Sequence, residues 1–406
     1  MAQKIGFREV LQQTGLYPQE QVATVLKSNK SLFIGLPKEI SSQENRIALT
    51  PDSVALIVRN GHEVLLEAGA GLNANFTDSD YSEAGAQIVY SAKELYQADL
   101  IVKIEPLQEA EFELVKEGST VISALHLPSR SEQYFRKLNE LKITGIGFEL
   151  IQDKDGGLPV TRAMSEIAGS TVMLIAAEYL SSVNNGKGII LGGITGVPPT
   201  KVVILGAGTV AEYSARAAMG LGAEIKIFDR EVYRLQRIKY AIGPNIYTSI
   251  IDSDTLSDAI RRADVVIGAL RGHDGRSPCV VTEEMISSMQ ENSVVIDVCI
   301  DQGGCFETSR MTNHKDPVYK YQGVIHYCVP NIASRVSATA SVALSNIFTP
   351  FLLKSGTLGG IEEMIFVDKD FMKGVYSYKG SLTNLTIAQN FGMRYKDLSL
   401  LMAARF

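Results

Sequence analysis

The stretch Lys201-Val-Val-Ile-Leu-Gly-Ala-Gly-Thr-Val-Ala211 decides the fold, because a run typical of a buried strand meets a glycine-rich turn that opens a helix. Gly206 permits the tight turn, Gly208 lets the backbone approach a pyrophosphate, and Ala211 lets the helix lie close to the strand. The N-terminus of that helix offers unpaired N–H groups to phosphates. The pattern therefore predicts a Rossmann-like, dinucleotide-binding domain.

The next strand, Lys226-Ile-Phe-Asp229, ends in an acid about 20 residues after the glycine turn. A carboxylate at this place accepts the ribose hydroxyls and repels a 2′-phosphate, so Asp229 favours NAD(H) over NADP(H). Arg230 keeps NADP(H) open, since a neighbouring guanidinium tolerates a phosphate. We expect NAD as the cofactor.

Length and composition narrow the class of protein. With 406 residues, of which 45% are hydrophobic, the chain can form two cores. A net charge of −6 without a block of Lys and Arg argues against a nucleic-acid partner. Residues 1–30 lack the apolar core of a signal peptide, and Glu178 interrupts the most apolar helical stretch, so we expect a soluble protein that does not bind a membrane.

The four cysteines show no CxxC spacing. They stand in apolar or strand-like surroundings, at positions 279, 299, 305 and 328. Reduced, packed thiols are therefore favoured over a metal or redox site, and no metal is expected.

Short apolar strands alternate with helical segments in two series, which predicts an α/β fold with two mostly parallel sheets. The predicted strands of the first series are 32–36, 62–67, 98–104, 120–126 and 143–148. Those of the second series are 202–205, 224–228, 264–269, 293–298 and 324–329. Thr50-Pro51 marks the start of the first helix between them. Beyond Ala333 the pattern predicts only helices, with long candidates at 337–353 and 382–405.

Several further strings stand in a specific order and spacing along the chain. They are Pro37-Lys-Glu39, Asn45-Arg-Ile-Ala-Leu-Thr-Pro51, Arg59-Asn-Gly-His-Glu-Val64, Glu67-Ala-Gly-Ala-Gly71, Ala124-Leu-His-Leu127, Met164-Ser-Glu-Ile-Ala-Gly169 and Ile300-Asp-Gln-Gly-Gly-Cys-Phe-Glu307. Together they resemble the alanine dehydrogenase family, which also includes the NAD(H)-binding component of proton-translocating transhydrogenase. The resemblance runs from about Leu32 to the C-terminus.

The resemblance implies an organisation into two Rossmann-like domains. A discontinuous substrate domain would comprise residues 31–163 and 337–406, with an NAD-binding domain of residues 164–336 inserted between them. The assembly expected from the family is a cytoplasmic homohexamer. Residues 1–30 lie outside the resemblance, and we expect a helical extension that packs on the body or on a neighbouring subunit.

The activity that the resemblance implies is the reversible, NAD-dependent oxidative deamination of L-alanine to pyruvate and ammonium. This reaction needs a cation for the carboxylate, a hydride acceptor, and groups that move protons as water attacks the imine. By motif position Arg46 would hold the carboxylate, and its planar fork suits bidentate binding. His126 and Asp301, each at the end of a predicted strand, would transfer protons. Asp297, within the strand, is expected to be structural.

Lys103 is where the chain departs from the family pattern, which reads Lys-x-Lys-Glu-Pro with the second lysine on the substrate carbonyl. This chain reads Val102-Lys-Ile-Glu-Pro106, so counting back from Pro106 puts Ile104 at the position of that lysine. Strand side chains alternate, and Lys103 would then point to the opposite face. A local bulge would re-aim Lys103 into the pocket. We expect the bulge and a substrate-binding Lys103; the alternative is a structural lysine.

The remaining cofactor contacts are implied by motif position alone. They are Ser165, Thr209, Val210, Arg234, Leu270, Asn331 and Ile332. The loop 271–277 is more polar than the family version.

Three other functions remain open at the level of the sequence. The first is a transhydrogenase domain-I-like NAD(H)-binding protein, against which the complete set of Arg46, His126 and Asp301 counts. The second is a dehydrogenase for a related amino acid, because sequence does not define pocket volume. The third is a non-catalytic NAD(H) sensor, which the Lys103 departure favours.

Overall fold

Two sheets flanked by helices make up the computed structural model, which describes residues 30–272 and 276–403. The strands are β1 (Phe33–Leu36), β2 (Glu63–Glu67), β3 (Gln87–Val89), β4 (Leu100–Val102), β5 (Thr120–Ser123), β6 (Thr144–Gly147), β7 (Lys201–Leu205), β8 (Glu224–Asp229), β9 (Tyr247–Ile250), β10 (Val265–Gly268), β11 (Val294–Asp297), β12 (Val318–Tyr321), β13 (Val324–Tyr327), β14 (Val375–Tyr378) and β15 (Ser381–Leu382). The α/β class with two mostly parallel sheets is confirmed. The predicted extension 1–30 lies, apart from Lys30, outside the described residues.

Helices connect the strands on both faces of each sheet. They are α1 (Pro51–Arg59), α2 (Asp78–Glu83), α3 (Ala92–Leu95), α4 (Glu109–Phe112), α5 (Glu132–Glu140), α6 (Pro159–Leu180), α7 (Thr209–Gly220), α8 (Val232–Ile242), α9 (Ser253–Arg261), α10 (Glu283–Ser287), α11 (Ser337–Leu358), α12 (Ile361–Val367), α13 (Lys369–Met372), α14 (Leu385–Phe391) and α15 (Leu398–Ala403). Short 3₁₀ turns lie at Leu72–Ala74, Leu127–Ser129, Phe148–Leu150, Ser182–Asn184, Ile300–Gln302 and Ile332–Val336. The first helix begins at Pro51, as the Thr50-Pro51 pair predicts.

The order of strands reverses once in each sheet. The first sheet reads β15-β14-β6-β5-β4-β1-β2-β3, and the chain moves outward in opposite directions from the β1/β4 pair. The second sheet reads β12-β13-β11-β10-β7-β8-β9 and reverses at the β7/β10 pair. In open parallel sheets, ligands bind outside the carboxyl ends of the strands at such a reversal. The topology therefore offers two binding crevices, one on each sheet.

The central strands of both sheets are buried on both faces, which explains why they are largely continuous apolar runs, whereas the edge strands β3, β9 and β12 are partly exposed. Val202 and Ile204 face one core of the second sheet, while Val203 and Leu205 face the other. Successive side chains of a strand point to opposite faces, so a strand covered on both sides is apolar at every position. The first sheet lies between two further cores in the same way.

The C-terminal prediction of helices alone was wrong. Two strands, β14 and β15, join the edge of the first sheet, and the expected helix 382–405 is replaced by the short helices α14 and α15. All four residues of β14 are buried, so this strand has no polar alternation for a sequence pattern to detect. Its Tyr376 ring fits because Gly145 has no side chain: a Cβ there would lie 2.6 Å from the ring.

Helices α6 and α11 join the two halves of the molecule. Val160 near the start of α6 packs in a core of the first sheet, and Val172 further along packs in a core of the second. Residues 332–358, which include α11, have a mean hydropathy of 1.5 and are long enough to cross a membrane by length and composition. Leu344 and Phe348 of this helix pack in the first core. The apolar window of this segment is 39% buried inside the molecule, and length and composition alone are weak evidence for a membrane span.

Candidate active site

The glycine turn after β7 forms the crevice of the second sheet. Gly206 has φ 109°, and a Cβ there would lie 2.3 Å from the Ala269 carbonyl oxygen at the end of β10. Gly208 begins helix α7, and a Cβ at this position would meet nothing within 4 Å. Open space at a helix N-terminus, beside a strand reversal, is the space that a pyrophosphate requires. The structure therefore fits a dinucleotide at this turn.

Helix α6 lies against the start of α7 because of a second glycine. A Cβ on Gly169 would lie 2.5 Å from the Val210 carbonyl oxygen, so any larger residue would push the two helices apart. Ser165, one turn earlier on α6, is half-buried. The close packing at Gly169 thus places the helix turn that carries Ser165 near the glycine turn after β7.

Asp229 fixes the glycine turn from the neighbouring strand. Its buried carboxylate accepts hydrogen bonds from the Ala207 amide at 2.7 Å and the Glu231 amide at 2.9 Å. A cavity of about 330 Å³ opens beside it, lined among others by Arg230, Arg234 and Leu270. A carboxylate oxygen has two lone pairs, so Asp229 retains capacity for a ribose hydroxyl. The guanidinium groups of the same cavity are the feature that would tolerate a 2′-phosphate.

Arg46 is buried and paired with Glu44. Its Nε lies 2.7 Å from Glu44 Oε1 and its Nη2 lies 2.6 Å from Glu44 Oε2, while Nη1 lies 3.3 Å from the Met164 sulfur. Burial alone would raise the pKa of Glu44, but the guanidinium and its hydrogen bonds outweigh burial and lower this pKa. Five N–H groups are available on a guanidinium, and Glu44 uses two. The Nη1–Nη2 edge can therefore still hold a second carboxylate.

Asn331 connects this arginine to the cofactor side of the molecule. Its Nδ2 donates to Glu44 Oε2 at 2.7 Å, and its backbone is left-handed with φ 59°. Next to it, Ser334 accepts the Asn45 amide at 2.9 Å and donates to the Gln43 carbonyl at 2.9 Å. The segment after β13 is thereby attached directly to the arginine loop. Ile332 is buried in the second core cluster, which leaves little of its side chain accessible to a cofactor.

The crevice of the first sheet is built around Glu39, which follows β1. Its carboxylate accepts the Ile104 amide at 2.6 Å and the Glu105 amide at 3.3 Å, both just after β4. Burial raises the pKa of Glu39 to about 7, and the nearby Lys103 ammonium opposes that rise. Glu39 and Glu105 also raise the pKa of Arg46, although less than Glu44 does. Glu39 therefore lies between the lysine and the arginine of the site.

The hydrogen-bond register slips by one residue after β4. The Thr120 amide donates to the Asp99 carbonyl, and the Lys103 amide donates to the Ile122 carbonyl, as a regular parallel ladder requires. The next amide, that of Ala124, donates to Ile104 and not to Lys103. One extra residue in a ladder is a bulge. An irregularity is thus present at the position where the sequence predicts one.

The Lys103 side chain is completely buried and paired with acids. Its ammonium lies 2.7 Å from Glu111 Oε1, 3.0 Å from Glu111 Oε2 and 3.5 Å from Glu39 Oε2. Burial alone would lower the pKa of Lys103, but the two carboxylates outweigh burial and raise it, so the ammonium stays charged. The Tyr96 hydroxyl donates to Glu111 Oε1, which also accepts a hydrogen bond from Lys103. Substrate contact by Lys103 stays a prediction, and it competes with these ion pairs.

His126 and Asp301 follow strands of different sheets. His126 follows β5, is exposed, and has a left-handed backbone with φ 47°. Asp301 follows β11 in the 3₁₀ turn Ile300–Gln302. Burial raises the pKa of the Asp301 carboxyl, and electrostatic interactions with His126 and Arg271 oppose that rise. The role of His126 and Asp301 in proton transfer stays a prediction.

Asp297 is a structural acid, as the sequence indicates. It accepts hydrogen bonds from the amides of Cys299 and Cys305 and from the Ser309 hydroxyl at 2.6 Å. Its carboxylate and the sulfurs of Cys299 and Cys305 lie within 4.8 Å of one another, a grouping that could hold a metal ion. Because these donors already occupy the carboxylate, a metal ion would have to displace them. Cys279 is exposed, so the expectation of packed thiols is wrong for this residue alone.

Four acids of the site were not found from the sequence. They are Glu39, Glu44, Glu111 and Glu149. Glu39 and Glu149 each stand two to three residues past a strand, at β1 and β6. A search for acids just beyond strand ends would have found both, since parallel strands gather these positions at one edge. Glu111 precedes Phe112 in α4 and gives no comparable signal.

Comparison with known proteins places this geometry in a family. The alanine dehydrogenase/PNT N-terminal domain matches residues 35–168, and the C-terminal domain of the same family matches residues 172–385. The chain belongs to the alanine dehydrogenase/PNT family. The sequence resemblance is thereby confirmed, and the family implies a nicotinamide dinucleotide, which the open turn at Gly208 fits.

Individual relatives agree with this membership. An alanine dehydrogenase of Methanococcus maripaludis is 39% identical over 90% of this chain and 98% of its own length, and alanine dehydrogenase 2 of Staphylococcus aureus (strain USA300) is 38% identical over the same shares. A solved L-alanine dehydrogenase superposes with a TM-score of 0.84 at 36% identity, covering 88% of this chain and 99% of that one. A transhydrogenase from Sinorhizobium meliloti shares the fold, with a TM-score of 0.74 at 23% identity, 87% of this chain and 99% of that one.

The two glycines of the turn give a matched pair of variants. Gly208→Ala should leave the thermal midpoint near the parent value, because the added Cβ meets no protein atom, but it should weaken NADH binding about tenfold or more by occupying the pyrophosphate space (on the order of 1.4 kcal/mol). Gly206→Ala should lower the midpoint, because it adds strain at φ 109° and a clash with Ala269. Fluorescence titration and thermal unfolding measure both. Parental NADH affinity in Gly208→Ala would contradict the assignment of this space.

Proposed function

We propose that this protein catalyses the reversible oxidative deamination of L-alanine with NAD⁺ and water to pyruvate, ammonium, NADH and a proton. The observation that carries the proposal is the Arg46 guanidinium, which Glu44 holds along one edge and which Glu44 and Asn331 link to the segment after β13, in the sheet whose turn fits a dinucleotide. The relatives named alanine dehydrogenase support the substrate. The transhydrogenase likeness, at 23% identity, supports the fold alone.

The substrate carboxylate binds the Nη1–Nη2 edge of Arg46. Glu44 holds the opposite edge of the guanidinium, so the arginine cannot rotate away and presents a preorganised fork. The flexible Met164 side chain touches Nη1 and can yield to an incoming carboxylate. Lys103 adds positive charge to this region and opposes the rise that burial causes in the pKa of Glu39. Direct contact between Lys103 and the substrate carbonyl remains part of the proposal.

His126 and Asp301 move the protons of the reaction. The substrate ammonium must lose a proton before the Cα–H bond breaks, and water must lose one as it adds to the imine carbon. Asp301, with its raised pKa, and the exposed imidazole of His126 are the titratable groups positioned for these transfers. In the reverse direction the same groups return the protons.

The cofactor lies along the crevice of the second sheet. The residues that would hold its pyrophosphate are Gly206, Gly208, Thr209 and Val210. Asp229 and Arg234 would bind the adenosine ribose, with Leu270 beside the adenine. The nicotinamide would lie near Ser165, Asn331 and Ile332. When bound, the nicotinamide supplies the hydride acceptor. We propose NAD because the Asp229 carboxylate disfavours a 2′-phosphate.

We further propose a cytoplasmic homohexamer. Large apolar side chains are exposed around the β-bridge between Ile194 and Val197, including those two residues and Ile190. Exposed apolar groups in one place support an interface with another copy of the chain. Light scattering should give about six times the 44.2 kDa chain mass, and a monomer at micromolar concentration would contradict the hexamer.

Removing the proton-transfer groups should separate chemistry from binding. His126→Ala and Asp301→Asn should each lower kcat by about 10²- to 10⁴-fold, the usual contribution of a general acid or base. NADH affinity should stay near the parent value, because neither side chain lies in the turn after β7. The measurements are the NADH absorbance assay with pyruvate and ammonium and a fluorescence titration. A variant with kcat within a few-fold of the parent loses its catalytic assignment.

Asp229→Ala should shift cofactor preference toward NADP⁺. The substitution removes the repulsion of a 2′-phosphate and leaves the arginines of the adenosine cavity in place. It also removes the acceptor of the Ala207 amide, so NAD⁺ binding should weaken. The test is the ratio of kcat/KM for NAD⁺ and NADP⁺. If this ratio equals that of the parent, Asp229 does not set the preference.

Lys103→Met should raise the KM for pyruvate or lower kcat, with nearly unchanged NADH affinity. Loss of the ammonium also removes the charge that opposes protonation of Glu39, so the pKa of Glu39 should rise above about 7. Glu39 is then ionised only at higher pH, and the acidic limb of the pH–rate profile should shift to higher pH. Lys93→Met, on the exposed helix α3, serves as the control. Parental kinetics at every pH would remove Lys103 from the mechanism.

A further inference from the structure

His126 is held in a strained main-chain conformation. Its φ of 47° and ψ of 51° are left-handed, a region that residues other than glycine seldom adopt and that costs of order 1 kcal/mol or more. The 3₁₀ turn Leu127–Ser129 follows directly, and the Ser129 amide and hydroxyl both donate to the His126 carbonyl at 2.9 Å. Such strain persists only where the surroundings fix the backbone.

Glu149 supplies the other half of that restraint. Its Oε1 accepts the Leu125 amide at 2.7 Å and the His126 amide at 3.1 Å. Two successive N–H groups that point at one oxygen define the direction of the chain as it enters the histidine. Glu149 itself stands just after β6, which pairs with the strand that precedes His126.

The space for this carboxylate is built into the neighbouring strand. A Cβ on Gly147 would lie 3.3 Å from Glu149 Oε2 and 3.4 Å from the Leu125 Cβ, so glycine leaves the carboxylate room against β5. Oε2 is enclosed and accepts no hydrogen bond from any residue of 30–272 or 276–403. A buried carboxylate oxygen without a partner is costly. The interaction through Oε1 is therefore retained against an energetic penalty, which points to a function other than stability.

We propose that Glu149 is a positioning residue for the reaction: by accepting the two amides it fixes the left-handed backbone of His126 and so aims the imidazole at Asp301. The proposal rests on the proposed role of His126 in proton transfer. Glu149 touches neither Arg46 nor the turn at Gly208, so its effect is confined to the histidine. A general acid or base acts only within hydrogen-bond reach of its target, which makes this aim decisive for turnover.

Three substitutions of Glu149 separate geometry from charge. Glu149→Gln keeps an acceptor oxygen at the same reach and loses the charge, so kcat should stay within a few-fold of the parent. Glu149→Asp keeps the charge but is one methylene shorter and cannot reach both amides, so kcat should fall about 10²-fold, as for a misplaced catalytic group. In Glu149→Ala, kcat should fall at least as far as in Glu149→Asp. KM for pyruvate and the NADH dissociation constant should change little in all three.

The control is Glu140→Ala, an exposed glutamate at the end of α5, which should keep parental kinetics. The positioning role is overturned if Glu149→Asp and Glu149→Ala retain parental kcat, or if Glu149→Gln loses as much turnover as Glu149→Ala, since charge would then be the important property. If the alanine variant does not fold, the comparison of Gln with Asp still decides. Failure of this role is distinct from failure of the proposed function, which His126→Ala tests directly.

Discussion

A single buried carboxylate, that of Glu44, connects the two halves of the site. It accepts the Nε, the Nη2 and the backbone amide of Arg46 and the Nδ2 of Asn331. Removing a charge from water costs several kcal/mol, and only full pairing and hydrogen bonding offset that cost. The arginine follows the first sheet's β1 and the asparagine follows the second sheet's β13. The arginine loop of the first sheet and the segment after β13 of the second sheet therefore keep a fixed relation, as the proposed hydride transfer requires.

The other acids of the two crevices follow one common rule. Glu39, Glu149 and Asp229 stand at or just past the end of a strand, and each accepts amides from the loop after the adjacent strand. The pairs are β1 with β4, β6 with β5, and β8 with β7. These loops carry Lys103, His126 and the glycine turn. These three carboxylates thus act as acceptors that shape the loops carrying Lys103, His126 and the glycine turn.

Much of the fold and site could be predicted from the sequence, because those features depend on local pattern. Continuous apolar runs gave ten of the strands, and the glycine turn with Asp229 gave the cofactor crevice. The partners of Glu44 and Glu149 could not be predicted, because they depend on which strands become neighbours and in which register. The prediction missed β14 because a short strand that is buried at every position lacks alternation. It also missed the two-residue strand β15 and the short edge strands β3, β9 and β12.

Lys103 shows where local pattern and tertiary contact diverge. Counting back from Pro106 put Lys103 one position early and led us to expect a bulge, and the register does slip between Lys103 and Ile104. Strand alternation alone could not indicate that the Lys103 ammonium would donate to both carboxylate oxygens of Glu111 in α4. A buried ammonium must be paired, and the acid it shares with the Arg46 region is Glu39. Glu39 thus couples the Lys103 ammonium electrostatically to the Arg46 guanidinium, and we propose that Lys103 acts on the substrate through this carboxylate.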